Sequence, residues 1–233
     1  MLNILDIDSM KNAGLFILLF IGILYNVNAQ ERESIFSFEG DEIVEKGKFL
    51  DSLYTGRNLD NITYKLVSNV LVSNREQELR VILGSYFEGE LEDFNEIMLR
   101  TDNDTIPILK IKQIDGWVKI PKEFRTYATN DFFIPIHVNN TTVALVFFGC
   151  VYNSEPPLLT IVVIHNGKAK MVFNKQFIVK EIREIEGKTY FLLYDRFFEY
   201  VSGDVPVNEA VMYGIWNENG VLYFGGPYGT TKQ

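Results

Sequence analysis

One cysteine, two histidines and two tryptophans stand in 233 residues. The lone cysteine, Cys150, excludes an intramolecular disulfide framework, so the fold must rest on a packed core. His137 and His165 come without any HxH, HExxH or CxxC spacing, which leaves a zinc site without its three or four close ligands. Basic residues are in the minority: 22 Lys and Arg against 31 Asp and Glu, a formal charge of -9. No basic cluster is written along the chain. That balance argues against nucleic acid and anionic membranes as main partners. Long apolar runs are also missing. The longest, Gly14 to Tyr25, has 12 residues, whereas a spanning helix needs about 20.

That run is led by Met10-Lys11-Asn12 and followed by Val27-Asn28-Ala29 and Gln30. A basic start, a short apolar core and a small residue at the cut are the parts of a secretory signal. The expectation is a signal peptide over residues 1–29, cleaved between Ala29 and Gln30. Asp6 and Asp8 suit a basic leader badly, so Met10 makes a better start than Met1. No cysteine lies at the cut to carry a lipid. The leader, over residues 10 to 30, resembles those of many exported proteins of Gram-negative bacteria. It implies a secreted or periplasmic protein with no stable membrane insertion after cleavage.

What the chain has is apolar and aromatic mass: 47% hydrophobic and 14% aromatic residues. Residues 30–233 suit a single β-rich domain. One short N-terminal helix is expected over Asp41 to Tyr54, where Ile43, Leu50 and Tyr54 fall near one helical face, with Gly47 as an interruption. From residue 61 the period becomes two: Ile62, Tyr64, Leu66, Val70 and Val72 share a parity. Four hairpins follow. Residues 158–164 and 169–173 flank Asn166-Gly167, the strongest of the turn signals. Residues 97–100 and 105–111 flank Asp102-Asn103-Asp104. Residues 178–185 and 189–194 flank Glu186-Gly187, and residues 211–216 and 221–224 flank Asn217 to Gly220. The fold class is therefore all-β and mostly antiparallel, sandwich- or propeller-like. Val143 to Val151 is apolar on both parities, as a strand covered on both faces requires. Pro107 and Pro135 mark edge or irregular segments. Gly84, Gly149 and Gly214 are spaced 65 apart in similar apolar contexts, which allows two similar halves of about 65 residues.

Candidates for chemistry each meet a plainer reading. Cys150 with His137 or His165 would make a nucleophile and base, but Phe147, Phe148 and Val151 around it favour a buried thiol. His165 reads as a turn residue and His137 as a strand residue. Asp102-Asn103-Asp104 has calcium-type oxygens without the rest of a binding loop, and reads as a turn. Glu88, Glu90, Glu92 and Asp93 form the densest acidic stretch and suit a solvated loop. Trp117 and Trp216 would make sugar-stacking platforms if exposed, and Trp216 sits beside a loop. Asn61, Asn103, Asn139 and Asn140 begin glycosylation sequons. Gly225 to Gly229 opens no helix and reads as a tail.

No cofactor and no metal is expected from this inventory, and no catalytic residue stands out. The first function expected is an exported binding protein, its partner a glycan or an envelope protein. The alternatives are an exported glycan hydrolase using paired carboxylates, and a structural subunit whose sheet edges pair with neighbours.

Overall fold

The computed structural model describes residues 32–53, 64–74, 77–86, 93–101, 104–150, 156–185, 188–196, 210–227 and 230–231. The proposed leader, with Ala29 and Gln30, lies outside them. The architecture is all-β and antiparallel with essentially no helix, built as several open sheets; among the described residues there is no propeller and no closed barrel.

The chain opens with β1 (Arg32–Ser34), β2 (Phe36–Glu39) and β3 (Glu42–Glu45). The expected helix over Asp41 to Tyr54 is absent. β2 and β3 pair as a hairpin across Gly40-Asp41. Gly40 sits at φ +61, the conformation a two-residue hairpin loop with glycine first demands. Only a single 3-10 turn follows, over Gly47–Phe49. Ile43 and Phe49 do enter one core, but from two separate elements, so their spacing imitates a helical face. Tyr54 lies outside the described residues.

Three four-strand meanders follow. The first is β4 (Lys65–Asn74), β5 (Gln77–Ser85), β6 (Phe94–Thr101) and β7 (Leu109–Val118). The second is β8 (Ile134–Asn139), β9 (Thr142–Gly149), β10 (Leu158–His165) and β11 (Lys168–Gln176). The third is β12 (Ile178–Ile185), β13 (Lys188–Tyr194), β14 (Ala210–Glu218) and β15 (Val221–Gly225), before a short β16 (Thr230–Thr231). All four expected hairpin pairings form: β6 with β7, β10 with β11, β12 with β13 and β14 with β15. Asn166-Gly167 and Asn219-Gly220 both adopt positive φ, as type I′ loops require. Gly225 begins no loose tail: β16 returns to pair with Ala210 and Val211 of β14. Tyr228 and Gly229 lie outside the described residues.

The first two meanders share one eight-stranded sheet, ordered β11-β10-β9-β7-β6-β5-β4, with β8 on the same side of β9 as β7. Their join is narrow. Only Trp117↔Gly149 and Val118↔Phe148 pair β7 with β9. Just before it, four residues of β7, Gln113 to Gly116, stand against Asn95 alone. An insertion of this kind bends and twists a sheet. It turns the first meander over one face of the second. Alternate residues of β9 therefore enter different cores: Ala144, Val146 and Phe148 face the third meander's sheet, while Val143, Leu145 and Phe147 face β5 to β7. All eight residues of β9 are buried, as its two-parity sequence requires. Pro135 lies in β8, which pairs only with β9, and Pro107 precedes β7. A bulge between Leu66 and Ser68 breaks the single parity expected in β4. Val70 and Val72 pack inward, while Leu66 is 56% exposed.

Candidate functional site

The candidates read from the sequence scatter through the fold. Cys150 is buried just beyond β9 and forms no disulfide. Thr142 pairs with His165 and Val143 with His137 at the other end of that strand. Seven to eight residues of strand separate them from Cys150, about 25 Å at the usual rise, so no thiol–imidazole pair forms. His165 is not in the turn. It ends β10, is 8% exposed, hydrogen-bonds Thr142 Oγ1 through Nδ1 at 2.9 Å and lies 4.2 Å from the Phe38 ring. Trp117 is fully buried and its indole donates to Thr160 Oγ1 at 2.9 Å. Thr160 in turn donates to Asn174 Oδ1, a buried relay that ties β7 to β11. Trp216 stands on the outer face of the third meander, stacked between Tyr190 and Tyr223. It is only 9% exposed, so the row reads as a cross-strand ladder that stabilises the sheet.

The acidic candidates are likewise local. Asp104 accepts from the Thr101 hydroxyl and holds a turn, and Asp93 accepts the Lys119 N–H at 2.6 Å, tying the start of β6 to the end of β7. Asn139 accepts the Thr141 N–H in the exposed β8–β9 turn, with Asn140 beside it. Glu88, Glu90, Glu92, Asp102, Asn103 and Asn61 lie outside the described residues. Among the described residues, no three His, Cys, Asp or Glu gather as a metal site, and no helix is long and apolar enough to cross a membrane.

The described residues line, among others, two clefts. One, of about 190 Å³, is apolar, walled by Phe124, Phe148, Leu158 and Phe177, with Glu123 as its carboxylate. The other, of about 270 Å³, is polar. It opens where β8, paired only to β9, faces the third meander. Its wall combines Tyr127, His137, Glu184, Lys188, Thr189 and Asn217. The wall is fixed by bonds across it. Asn217 donates to the carbonyls of His137 and Val138, each at 3.0 Å. The Tyr127 hydroxyl donates to Ile182 O at 2.7 Å. Asn217 Oδ1 is buried without a partner. His137 is exposed on β8 because Ile134, Ile136 and Val138 take the core parity.

A third feature, the outer face of the first meander, is barely marked in the sequence. Leu79, Val81, Leu83, Ile97 and Leu99 fill the core, so Arg80, Glu96, Met98 and Arg100 take the opposite face. Arg80 stands opposite Arg100, Met98 opposite Lys110, and Glu96 opposite Lys112. Glu96 has a side chain only 2% exposed. Its carboxylate accepts from the Tyr86 hydroxyl at 2.7 Å and meets Lys110 at 3.2 Å and Lys112 at 3.5 Å. Lys112 also lies 4.1 Å above the Tyr86 ring. Tyr64 lies over Gly84, where a Cβ would strike its ring. Burial, then the Glu96 charge, raises the Tyr64 hydroxyl pKa above its usual value. Four cations thus crowd a face around the buried Glu96 carboxylate, which meets two of them, on a chain of charge -9. They are distant in sequence, and only the strand register collects them. The alternation at Lys110 and Lys112 was the one local sign.

Comparison with family models, with curated proteins and with solved structures finds no match to this chain.

Proposed function

We propose that the chain is an exported binding protein, and that the polar cleft beside β8 holds a small hydroxylated ligand such as one sugar unit of a glycan. We take its two larger sheets as a sandwich with the first meander folded over the outside. The observation that carries the reading is the wall of the cleft. Tyr127, His137, Glu184, Lys188, Thr189 and Asn217 bring donors and acceptors of both kinds around about 270 Å³. A few convergent polar groups in a concavity fix a ligand's orientation, and hydroxyls serve as both donor and acceptor. Catalysis by paired carboxylates needs two acids about 5 or 9 Å apart. Among the described residues each of these two clefts is lined by one, Glu184 or Glu123, which favours holding a ligand over cleaving it.

A glycan array probed with the purified protein tests this. A subset of glycans should be retained, and Glu184→Gln should weaken them about tenfold, the worth of one charge-assisted hydrogen bond. Glu184 is exposed, so the substitution leaves the fold intact. Silence across the array, or affinity indifferent to both Glu184→Gln and Thr189→Ala, overturns the reading.

A further inference from the structure

We propose that the outer face of β4 to β7 docks on an anionic lipid surface. It is a different face from the cleft and does not depend on it. The first support is charge. Arg80, Arg100, Lys110 and Lys112 converge there against Glu96 and, at the far end, Glu78. Two arginines directly opposite each other repel, and Arg100 Nε is buried with no partner. A surface that gathers cations against the net charge of its own chain is complementary to an anion.

The second support is apolar. Five large hydrophobic residues are exposed among the described residues: Tyr64 at 42%, Leu66 at 56%, Leu71 at 44%, Ile106 at 78% and Ile185 at 48%. The first four belong to this meander. Leu66 and Leu71 lie on β4, which pairs with no described strand on its outer side, and Ile106 lies in the β6–β7 turn. Ile82, on an inner strand, is 6% exposed, while Arg80 and Arg100 occupy those same inner strands. A protein interface has the reverse plan, an apolar centre inside a polar rim. A sugar finds no stacking face on leucine or isoleucine. Aliphatic residues projecting at the margin, with cations between them, suit phosphate headgroups over hydrocarbon.

Net charge over the whole chain disfavours anionic membranes, and the local register of β5 to β7 overrides it. The test is co-sedimentation of the full chain with phosphatidylcholine vesicles and with vesicles of equal parts phosphatidylcholine and phosphatidylglycerol. Wild type and variants share residues 1–31, so any contribution from that segment cancels between them. Binding should be stronger to the anionic vesicles and fall with added salt. Replacing Arg80, Arg100 and Lys110 together by Gln should weaken it about 100-fold, at roughly fivefold per cation. Leu66→Ser with Leu71→Ser, both exposed and safe for folding, should weaken it about tenfold. Circular dichroism checks that each variant folds; if the triple variant does not, the leucine pair decides. Equal binding to both vesicles overturns the proposal, as does a leucine pair that binds like wild type. Capture of polygalacturonate that survives the leucine substitutions would assign the face to an acidic polysaccharide and overturn it too.

Discussion

The two ends of the eight-stranded sheet are built from the same antiparallel meander and differ in what covers them. At the β8–β11 end both faces are packed, and every residue of β9 is buried. The N-terminal segment also clasps β11. Leu50 bridges Asn174, and Lys168, Lys170 and Lys175 meet Glu42, Glu45 and Asp51. At the β4–β7 end one face is core and the other presents cations and exposed aliphatics. The join between them is two residue pairs. Cover on both faces consumes a strand's side chains in packing. Cover on one face leaves alternate side chains for other work, and the residues with surface chemistry lie on that side.

The largest test of this difference is truncation at matched positions. Phe147→Ala on β9 removes a fully buried ring that packs on Phe94 and Phe133. It should cost about 3–5 kcal/mol in urea denaturation. Met98→Ala, half-buried on the outer face of β6, should cost about 1 kcal/mol, since little area is lost. Equal costs would break the comparison.

A second test uses the two glycines that the sequence places 65 residues apart. A Cβ on Gly149 would lie 2.3 Å from the Leu158 carbonyl oxygen, which is backbone of the packed end. A Cβ on Gly84 would meet the ring of Tyr64, a side chain 42% exposed. Backbone cannot step aside and an exposed ring can. Gly149→Ala should therefore cost about 3 kcal/mol and Gly84→Ala about 1 kcal/mol or less. Thermal melts of the two variants check the order, and a reversed order would show the open end to be the more rigid.

Those glycines also mark how far the sequence could be read. Strand pairing was legible because it is local: Asn166-Gly167 sets positive φ at the turn, and the apolar runs beside it can only fold back. Burial of β9 was legible because both parities are apolar. The N-terminal hairpin was not, since Ile43 and Phe49 reach one core from separate elements and the spacing alone looks helical. Nor was the bulge at Val67, which puts Leu66 outside while Val70 and Val72 go in. Gly84 and Gly149 lie on the second strands of their meanders and Gly214 on the third, so equal spacing did not mean equal placement. The surface candidates were the least legible. His137 was visible as a strand residue, but Glu184, Thr189 and Asn217 come from other strands. The cations come from three strands, and register is a property of the whole sheet.

The smallest test separates the two ends by pH. At the clasped end the Glu45 carboxylate is held below its usual value of 4.5, first by its hydrogen bond from Lys170. A carboxylate with a depressed folded pKa contributes stability above its unfolded value and loses it as pH falls through the folded one. Both partners are partly exposed, so the contribution is on the order of 0.5 kcal/mol. The stability difference between wild type and Glu45→Gln in urea should be present near neutrality and vanish in acid. At the open end the sign reverses. The Tyr64 hydroxyl is pushed above its usual 10.0, by burial before charge. Its contribution is complete below that value and lost as pH rises through the folded one. The difference between wild type and Tyr64→Phe should hold in acid and shrink only in alkali. A Tyr64→Phe difference that changed in acid instead would mean that the Glu96 carboxylate, rather than burial, governs that ring, and the open end would then be organised by charge as the clasp is.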